Sequence, residues 1–254
     1  MPDVATKRSK AGWSTVAFGD VVRKIKDKVD PEETGLERYV AGEHMETDDL
    51  RIRRWGKIGD GYLGPAFHMR FKPGHVLYGS RRTYLRKVAV ADFEGITANT
   101  TYVLESADPD LLLPELLPFI MKTETFNQHS VRESKGSVNP YVNFSDLAWF
   151  EFALPPIEEQ RRLASALMAA RNAREGLLSV VERGNALHDA LVAWLIEHGT
   201  GSERRRRTVM GQFPGSWDLL PLGERYEIRL GKMMSPKARS GDAQVPYGYI
   251  REYY

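Results

Sequence analysis

The chain has 254 residues, of which 42% are hydrophobic, and its formal net charge is +2. A chain of this size and hydrophobicity buries a sizeable core and forms one or two globular domains. It contains no cysteine, which excludes disulfides, cysteine-ligated zinc, iron–sulfur clusters and thiol catalysis. No apolar run approaches the roughly 18 residues of a membrane span, and residues 1–10 lack the hydrophobic stretch of a signal peptide. We therefore expect a cytoplasmic protein that does not contact a membrane.

Residues 1–154 alternate short apolar runs with Gly, Pro and Asp, which predicts a mixed α/β (α+β) domain rather than a helical bundle. The strands predicted within it are residues 74–78, 88–91, 101–104 and 149–154. One helix is predicted over residues 114–128, with Pro114 and Pro118 near its start. The apolar residues that predict this helix are Leu116, Leu117, Ile120, Met121 and Phe126. We expect the helix to pack on the sheet.

A single long helix is predicted over residues 155–199. Prolines are tolerated in the first turn of a helix, and Glu158 and Glu159 favour its positive N-terminal end. Small and apolar residues then recur at alternating spacings of three and four, which is typical of a coiled-coil seam. The seam consists of Leu163, Ala166, Ala170, Ala173, Leu177, Val180, Gly184, Leu187, Leu191 and Trp194. It spans roughly 48 Å at 1.5 Å per residue; the alternative is a helix packed on its own domain.

The opening of the chain recurs after residues 200–216, which are rich in Arg and Gly and are predicted to be a linker. Residues 13–20 read Trp-Ser-Thr-Val-Ala-Phe-Gly-Asp, and residues 217–224 read Trp-Asp-Leu-Leu-Pro-Leu-Gly-Glu. Tyr39 and Val40 are likewise echoed by Tyr249 and Ile250. This internal repeat indicates one module of about 200 residues followed by the opening of a duplicate. Residues 217–254 are therefore predicted to begin a second, truncated domain.

Two basic stretches are candidates for nucleic-acid binding, because guanidinium groups pair with guanine or phosphate and tyrosines stack or hydrogen-bond. The candidates in the first stretch are Arg81, Arg82, Tyr84, Arg86 and Lys87. The candidates in the second stretch are Lys135, Ser137 and Asn139. The neighbouring Gly136 lets the backbone approach a phosphate closely. Taken alone, the first stretch is better explained as an exposed polar hairpin, and the second is also a weak signal.

The sequence offers no recognisable active site. Residues 139–142 read Asn-Pro-Tyr-Val, which is similar to the Asn-Pro-Pro-aromatic motif of amino-group DNA methyltransferases, but the second proline is absent. No glycine-rich loop after a strand offers a site for S-adenosylmethionine, and no phosphate-binding loop or nucleophile elbow is present. No two of the six histidines have the i, i+4 spacing of a helical metal site. We predict no catalytic residue, no metal site and no cofactor in this chain.

Together these features resemble the specificity subunit of type I restriction-modification systems. The resemblance rests on the Trp-x-x-Val-x-Phe-Gly-Asp opening, on residues 79–96, and on Lys-Gly-Ser-Val-Asn at residues 135–139. Its most specific part is Leu-Pro-Pro-Ile-Glu-Glu-Gln-Arg-Arg-Leu-Ala at residues 154–164. It implies a target recognition domain over residues 1–154, and a spacer helix over residues 155–199 that pairs antiparallel with a second such helix.

The resemblance further implies a non-catalytic subunit that reads one half of a bipartite site in double-stranded DNA. Its long helix would dock methyltransferase subunits and permit a homodimer. S-adenosylmethionine, ATP and Mg²⁺ would be used by partner subunits, among them a restriction and translocase subunit. Two alternatives stay open: a free-standing DNA adenine methyltransferase or nuclease with a degenerate site, and an assembly protein defective in DNA recognition.

Overall fold

The computed structural model describes residues 12–199, 204–208, 211–218, 220–228 and 250–252. The chain divides into two compact units, residues 1–174 and 175–254. Among the helices in the described ranges, none is both long enough and apolar enough to cross a membrane.

The first unit confirms the mixed α/β class. Its elements in chain order are β1 (Ser14–Ala17), α1 (Phe18–Val21), β2 (Val22–Lys24), β3 (Arg38–Val40), β4 (Gly56–Lys57), β5 (Phe67–Phe71), β6 (Val76–Gly79), β7 (Val88–Val90), β8 (Gly95–Ala98), β9 (Thr101–Ser106), α2 (Leu117–Met121), α3 (Glu124–Arg132), α4 (Phe144–Ala148), β10 (Glu151–Leu154) and the start of α5 (Ile157–His198). All four predicted strands are present, as β6, β7, β9 and β10, with ends shifted by one or two residues.

Two four-stranded sheets form the centre of this unit. Sheet A has the strand order β2-β9-β6-β7 and is antiparallel throughout. Sheet B has the order β4-β3-β8-β5, in which β3 and β8 are parallel and the other pairs are antiparallel. Outside both sheets, β1 pairs antiparallel with β10, so the beginning of the domain is joined to its end.

The centre of sheet A is buried on both faces, which explains why β6 and β7 are almost entirely apolar. Because side chains alternate across a strand, Val76 and Tyr78 join a core cluster that includes Leu117 and Phe126 of the helices. Leu77 lies between them in sequence and joins the opposite cluster, which includes Phe71 of sheet B. The domain therefore has three layers: helices, sheet A and sheet B.

The prediction of a single helix over residues 114–128 is wrong, because the chain forms two helices, α2 and α3, with a break at Thr123. Thr123 has an extended backbone, with φ −64° and ψ 148°. Its Oγ1 accepts a hydrogen bond from the backbone N–H of Phe126 at 3.3 Å. Threonine side chains favour this N-cap arrangement over a helix interior, so the cap starts a new helix where the apolar spacing alone indicated continuity.

The long helix predicted over residues 155–199 is confirmed by α5, which runs from Ile157 to His198. The backbone N–H of Gln160 donates to Pro156 O at 3.0 Å, and this bond closes the first turn. Gly199 follows the last helical residue with φ +73°, the left-handed conformation that glycine adopts readily at a helix end.

Gln160 joins the first turn of α5 to the α/β domain, and the residue is only 1% exposed. Its Oε1 accepts from the backbone N–H of Leu113 at 2.8 Å. Its Nε2 donates to Leu111 O at 2.8 Å and to Pro155 O at 2.9 Å. The neighbouring Glu159 accepts a 2.9 Å bond from the indole Nε1 of Trp13. The motif at residues 154–164 therefore fixes where the helix leaves the domain.

All ten predicted seam residues of α5 are exposed in the single chain. Leu177 is 69% exposed and Leu187 is 71% exposed, values far above those of leucines in the core. A second apolar set lies on an adjacent side of the helix and includes Val181, Val192 and Ile196. Pairing of this helix with another stays a prediction, since exposure identifies the surface but not its partner.

The second unit holds the rest of α5 and then β11 (Arg205–Thr208), β12 (Gly211–Pro214), α6 (Leu222–Arg225), β13 (Tyr226–Ile228) and β14 (Ile250–Glu252). Residues 200–216, predicted to be a linker, instead contain the antiparallel pair of β11 and β12. Gly211, at φ +123°, permits the tight return into β12.

The sequence repeat is accompanied by a repeat of local structure. Relative to Trp217, α6 and β13 occupy the same positions that α1 and β2 occupy relative to Trp13. In both copies the first residue of the strand donates its N–H to the carbonyl of the first helical residue. Residues 229–249 of the predicted second domain, including Tyr249, lie outside the described residues.

Candidate DNA interface

The two basic stretches found in the sequence are adjacent in the structure. They form the loops at residues 80–87, between β6 and β7, and at residues 133–143, between α3 and α4. Three hydrogen bonds join them: Arg82 N–H to Pro140 O at 2.7 Å, Val142 N–H to Ser80 O at 2.9 Å, and Thr83 Oγ1 with Ser134 Oγ at 3.0 Å. We call the exposed side of these two loops the recognition surface.

Tyr141 connects the two loops, although the sequence analysis did not single it out. Its backbone exchanges two hydrogen bonds with Lys135, at 2.7 and 2.9 Å, and forms an isolated bridge with Arg81. The guanidinium carbon of Arg81 lies 6.0 Å from the centre of the Tyr141 ring, which is 41% exposed as a residue. An exposed aromatic ring beside an arginine is a common arrangement at nucleic-acid contacts. The sequence signal that could have identified Tyr141 is its place as the aromatic residue of the Asn-Pro-Tyr-Val stretch.

The loop at residues 80–87 holds two residues in an uncommon backbone conformation. Arg82 has φ +50° and Arg86 has φ +51°, on either side of a single 3-10 turn. For residues with a Cβ this conformation costs roughly 1–2 kcal/mol each. The turn is held by hydrogen bonds from Leu85 N–H to Arg82 O at 2.8 Å and from Arg86 N–H to Thr83 O at 2.9 Å. Strain of this kind is concentrated at functional sites, where the surrounding structure maintains it.

Arg86 and Lys87 are bound by groups of the protein itself. The guanidinium of Arg86 donates to Glu124 Oε2 at 2.6 Å, to Asp48 Oδ1 at 3.0 Å and to Lys122 O at 2.7 Å. Hydrogen bonding to Glu124 raises the pKa of Arg86. The ammonium of Lys87 donates to the backbone oxygen of Gly42. These contacts indicate that Arg86 and Lys87 shape the loop, although both were predicted as DNA contacts.

The remaining candidates differ in how open their polar groups are. Arg81, Arg82, Ser137 and Asn139 are exposed, and Tyr84 is 53% exposed. Lys135 is also exposed, but its ammonium lies 2.8 Å from Asp146 Oδ2. The hydrogen bond from Lys135 holds the pKa of the Asp146 carboxyl below its usual value. The positive charge of the recognition surface is therefore carried mainly by Arg81 and Arg82.

Arg86→Ala is expected to lower the free energy of unfolding by about 1–2 kcal/mol, because two carboxylates lose a charged hydrogen-bond donor. Urea denaturation of the full chain measures this change. Arg81→Ala is the matched control, and its effect on the free energy of unfolding should stay within about 0.5 kcal/mol. Unchanged stability of Arg86→Ala combined with weaker DNA binding would restore Arg86 as a DNA contact.

Comparison with known proteins agrees with the fold. The family described as "Type I restriction modification DNA specificity domain" matches residues 10–182. The chain is 26% identical over 242 residues to the type I restriction enzyme EcoDI specificity subunit of Escherichia coli, a match covering 90% of this chain and 50% of that protein.

Two solved structures have the same fold. The HsdS subunit from Thermoanaerobacter tengcongensis matches with a TM-score of 0.57 and 20% identity, over 91% of this chain and 59% of that one. The type I restriction-modification S subunit from M. genitalium matches with a TM-score of 0.52 and 17% identity, over 92% of this chain and 57% of that one.

The chain belongs to the type I restriction modification DNA specificity domain family, since the match extends over most of its length. The resemblance stated from the sequence is thereby confirmed. The chain spans about half the length of the curated relative that it matches.

Proposed function

We propose that this chain recognises one half of a bipartite site in double-stranded DNA through its recognition surface, as part of a type I restriction-modification system. The observation that carries the proposal is the hydrogen-bonded junction of the two basic loops. It combines two stretches, each weak alone, into one surface with two open arginines and two exposed tyrosines. Family membership supports the same function.

The chemistry of the recognition surface suits sequence reading better than charge attraction alone. Arg81 and Arg82 are exposed, and a guanidinium pairs bidentately with the O6 and N7 atoms of guanine in the major groove. Arg86 and Lys87 are already bound by the protein, so they hold the loop in place. A contact that is held rigidly discriminates better between bases, because a misplaced donor cannot reorient to satisfy the wrong base edge.

We propose that α5 is the spacer of the assembly. Its exposed seam pairs with a second long helix, which comes from a second module or from a second copy of this chain. The adjacent apolar set then docks methyltransferase subunits. The chain itself is non-catalytic in this proposal: the partner subunits use S-adenosylmethionine, ATP and Mg²⁺, and a restriction and translocase subunit completes the cytoplasmic assembly.

Co-purification with a type I methyltransferase subunit, followed by genome-wide mapping of methylated adenines, tests the function. A bipartite or palindromic methylated motif that depends on this chain is expected, and a palindrome indicates two copies. Stable assembly without any methylated motif supports the alternative of an assembly protein defective in recognition. No assembly at all contradicts the proposal.

Arg81→Ala is expected to weaken binding to the selected half-site by about 1–3 kcal/mol and to relax preference at one base position. A bidentate arginine discriminates one base pair, so the loss should be confined to that position. Fluorescence anisotropy measures binding of the full chain to the half-site duplex and to duplexes in which one base pair at a time is changed. The titrations give the loss of affinity and the change in base preference. Lys72→Ala is the control, since Lys72 is exposed in the turn before β6, at the other end of that strand. Unchanged affinity and unchanged preference for Arg81→Ala would remove this loop from the reading surface.

A further inference from the structure

The hairpin of β11 and β12 concentrates positive charge outside the recognition surface. Residues 204–217 contain four arginines, Arg204 to Arg207, and no Asp or Glu, although Glu203 and Asp218 flank the stretch. All four arginines are exposed. Several basic side chains of the first unit, by contrast, form ion pairs with carboxylates. Arg23 pairs with Glu105, and Arg70 pairs with Glu94.

Two of these arginines explain how the hairpin is anchored. Arg205 Nη2 donates to Glu197 O, in the last turn of α5, at 2.8 Å. A cation at this position also interacts favourably with the negative C-terminal end of the helix. Arg206 Nη2 donates to Trp217 O at 3.0 Å. Arg205 and Arg206 therefore fix the hairpin to the segments on either side of it.

The other two arginines have no such structural role among the residues that the structure describes. Arg204 and Arg207 flank the anchoring pair, and their described surroundings include no carboxylate within ion-pair distance. Arg207 lies opposite Gln212 in the hairpin, so its strand neighbour is uncharged. Uncompensated guanidinium groups on a fixed hairpin are suited to a polyanion whose charges are regularly spaced.

We propose that this hairpin contacts the phosphate backbone of duplex DNA through Arg204 and Arg207, independently of base sequence. This inference rests on the proposed function, because the recognition surface brings the DNA to the assembly. The hairpin adds affinity without adding preference, since phosphate contacts position a protein and carry no base information. Duplex DNA is preferred over an acidic protein as the ligand, because both open side chains are arginines, whose planar donors match phosphate oxygens bidentately.

The salt dependence of DNA binding tests the hairpin. The full chain and the double variant Arg204→Gln/Arg207→Gln are titrated with two labelled duplexes, one carrying a half-site selected from a random pool and one of scrambled sequence. Each lost phosphate contact lowers the slope of log affinity against log salt by about one. The double variant is expected to lower the slope by about two for both duplexes, and to leave the ratio of the two affinities unchanged.

Two controls isolate the effect of position from that of charge. Lys26→Gln/Lys72→Gln removes the same charge from exposed sites outside the hairpin and outside the two loops of the recognition surface, and should keep the wild-type slope. Arg204→Lys/Arg207→Lys retains the charges and should restore most of the slope. Since Arg205 and Arg206 remain, the glutamine variant should keep the wild-type circular dichroism and melting temperature.

An unchanged slope for Arg204→Gln/Arg207→Gln, while the wild-type chain still prefers its half-site, overturns the hairpin proposal and leaves the proposed function standing. An equal fall in slope for Lys26→Gln/Lys72→Gln also overturns it, because bulk charge then explains the result. Loss of co-purification with the methyltransferase subunit at an unchanged slope assigns the hairpin to a protein partner instead. Absence of any sequence preference in the wild-type chain contradicts the proposed function, whereas the slope measured on the scrambled duplex still decides the hairpin.

Discussion

Gln160→Ala is expected to lower the free energy of unfolding by about 2–4 kcal/mol, a large effect for a polar residue. The substitution removes three hydrogen bonds at once, those to Leu113 N, Leu111 O and Pro155 O. A buried polar group left without a partner costs about 1–3 kcal/mol. Leu111 is partly exposed, so water recovers part of its bond, and the sum stays below three full penalties.

The measurement is urea denaturation of the full chain, with tryptophan fluorescence as the readout of unfolding. Glu158→Ala is a matched control in the same helical turn, because Glu158 is exposed and pairs with the exposed Arg161. Surface ion pairs of this kind contribute roughly 0–1 kcal/mol, so the control should stay close to wild type. A loss below 1 kcal/mol for Gln160→Ala would mean that other contacts join the helix to the domain.

The same glutamine connects stability to function. If α5 sets the distance between two recognition domains, a loose junction at Gln160 lets each domain change its angle to the spacer. Selection of half-sites by the Gln160→Ala variant should then tolerate more than one spacing between the two halves. Half-site spacing follows protein geometry in DNA-binding assemblies, so a rigid junction is a requirement for a fixed gap.

The features that the sequence predicted correctly depend on local signals. The long helix is bounded by two prolines and by Gly199, so its extent does not require knowledge of distant contacts. The repeat at Trp13 and Trp217 is visible for the same reason. The break at Thr123 shows the limit of periodicity, because one capping hydroxyl outweighs an apolar spacing that continues through it.

The arrangement of the recognition surface required the fold. The junction of the two loops depends on pairing between residues more than fifty positions apart, such as Thr83 and Ser134. Arg81 and Arg86 are the same residue type in the same loop, yet their surroundings differ. The guanidinium of Arg86 contacts the carboxylates of Asp48 and Glu124, which lie 38 positions before and 38 positions after it in the chain. Sequence reasoning could name the basic residues, but only tertiary structure separates those that shape the loop from those left open to solvent.

Leu177→Glu/Leu187→Glu is expected to abolish pairing of α5 with a second helix. Both leucines are exposed in the single chain, and burial of a leucine contributes about 1.5–3 kcal/mol. Losing both weakens association by about 3–6 kcal/mol, or roughly a hundredfold to ten-thousandfold, before the cost of burying two carboxylates is counted. The free energy of unfolding of the single chain should change little, because neither side chain is in its core.

Sedimentation at tens of micromolar, with and without the methyltransferase subunit, measures this loss. The matched control is Ala186→Glu/Ala193→Glu, which adds the same charges at exposed positions on the side of the helix away from the seam. The control should retain the assembly of the wild-type chain, and the seam variant should sediment as a monomer when the methyltransferase subunit is absent. Retained assembly of the seam variant would exclude the seam as the pairing surface. Loss of assembly in both variants would contradict assignment of the pairing to the seam alone, because added charge on either side of α5 would then be disruptive.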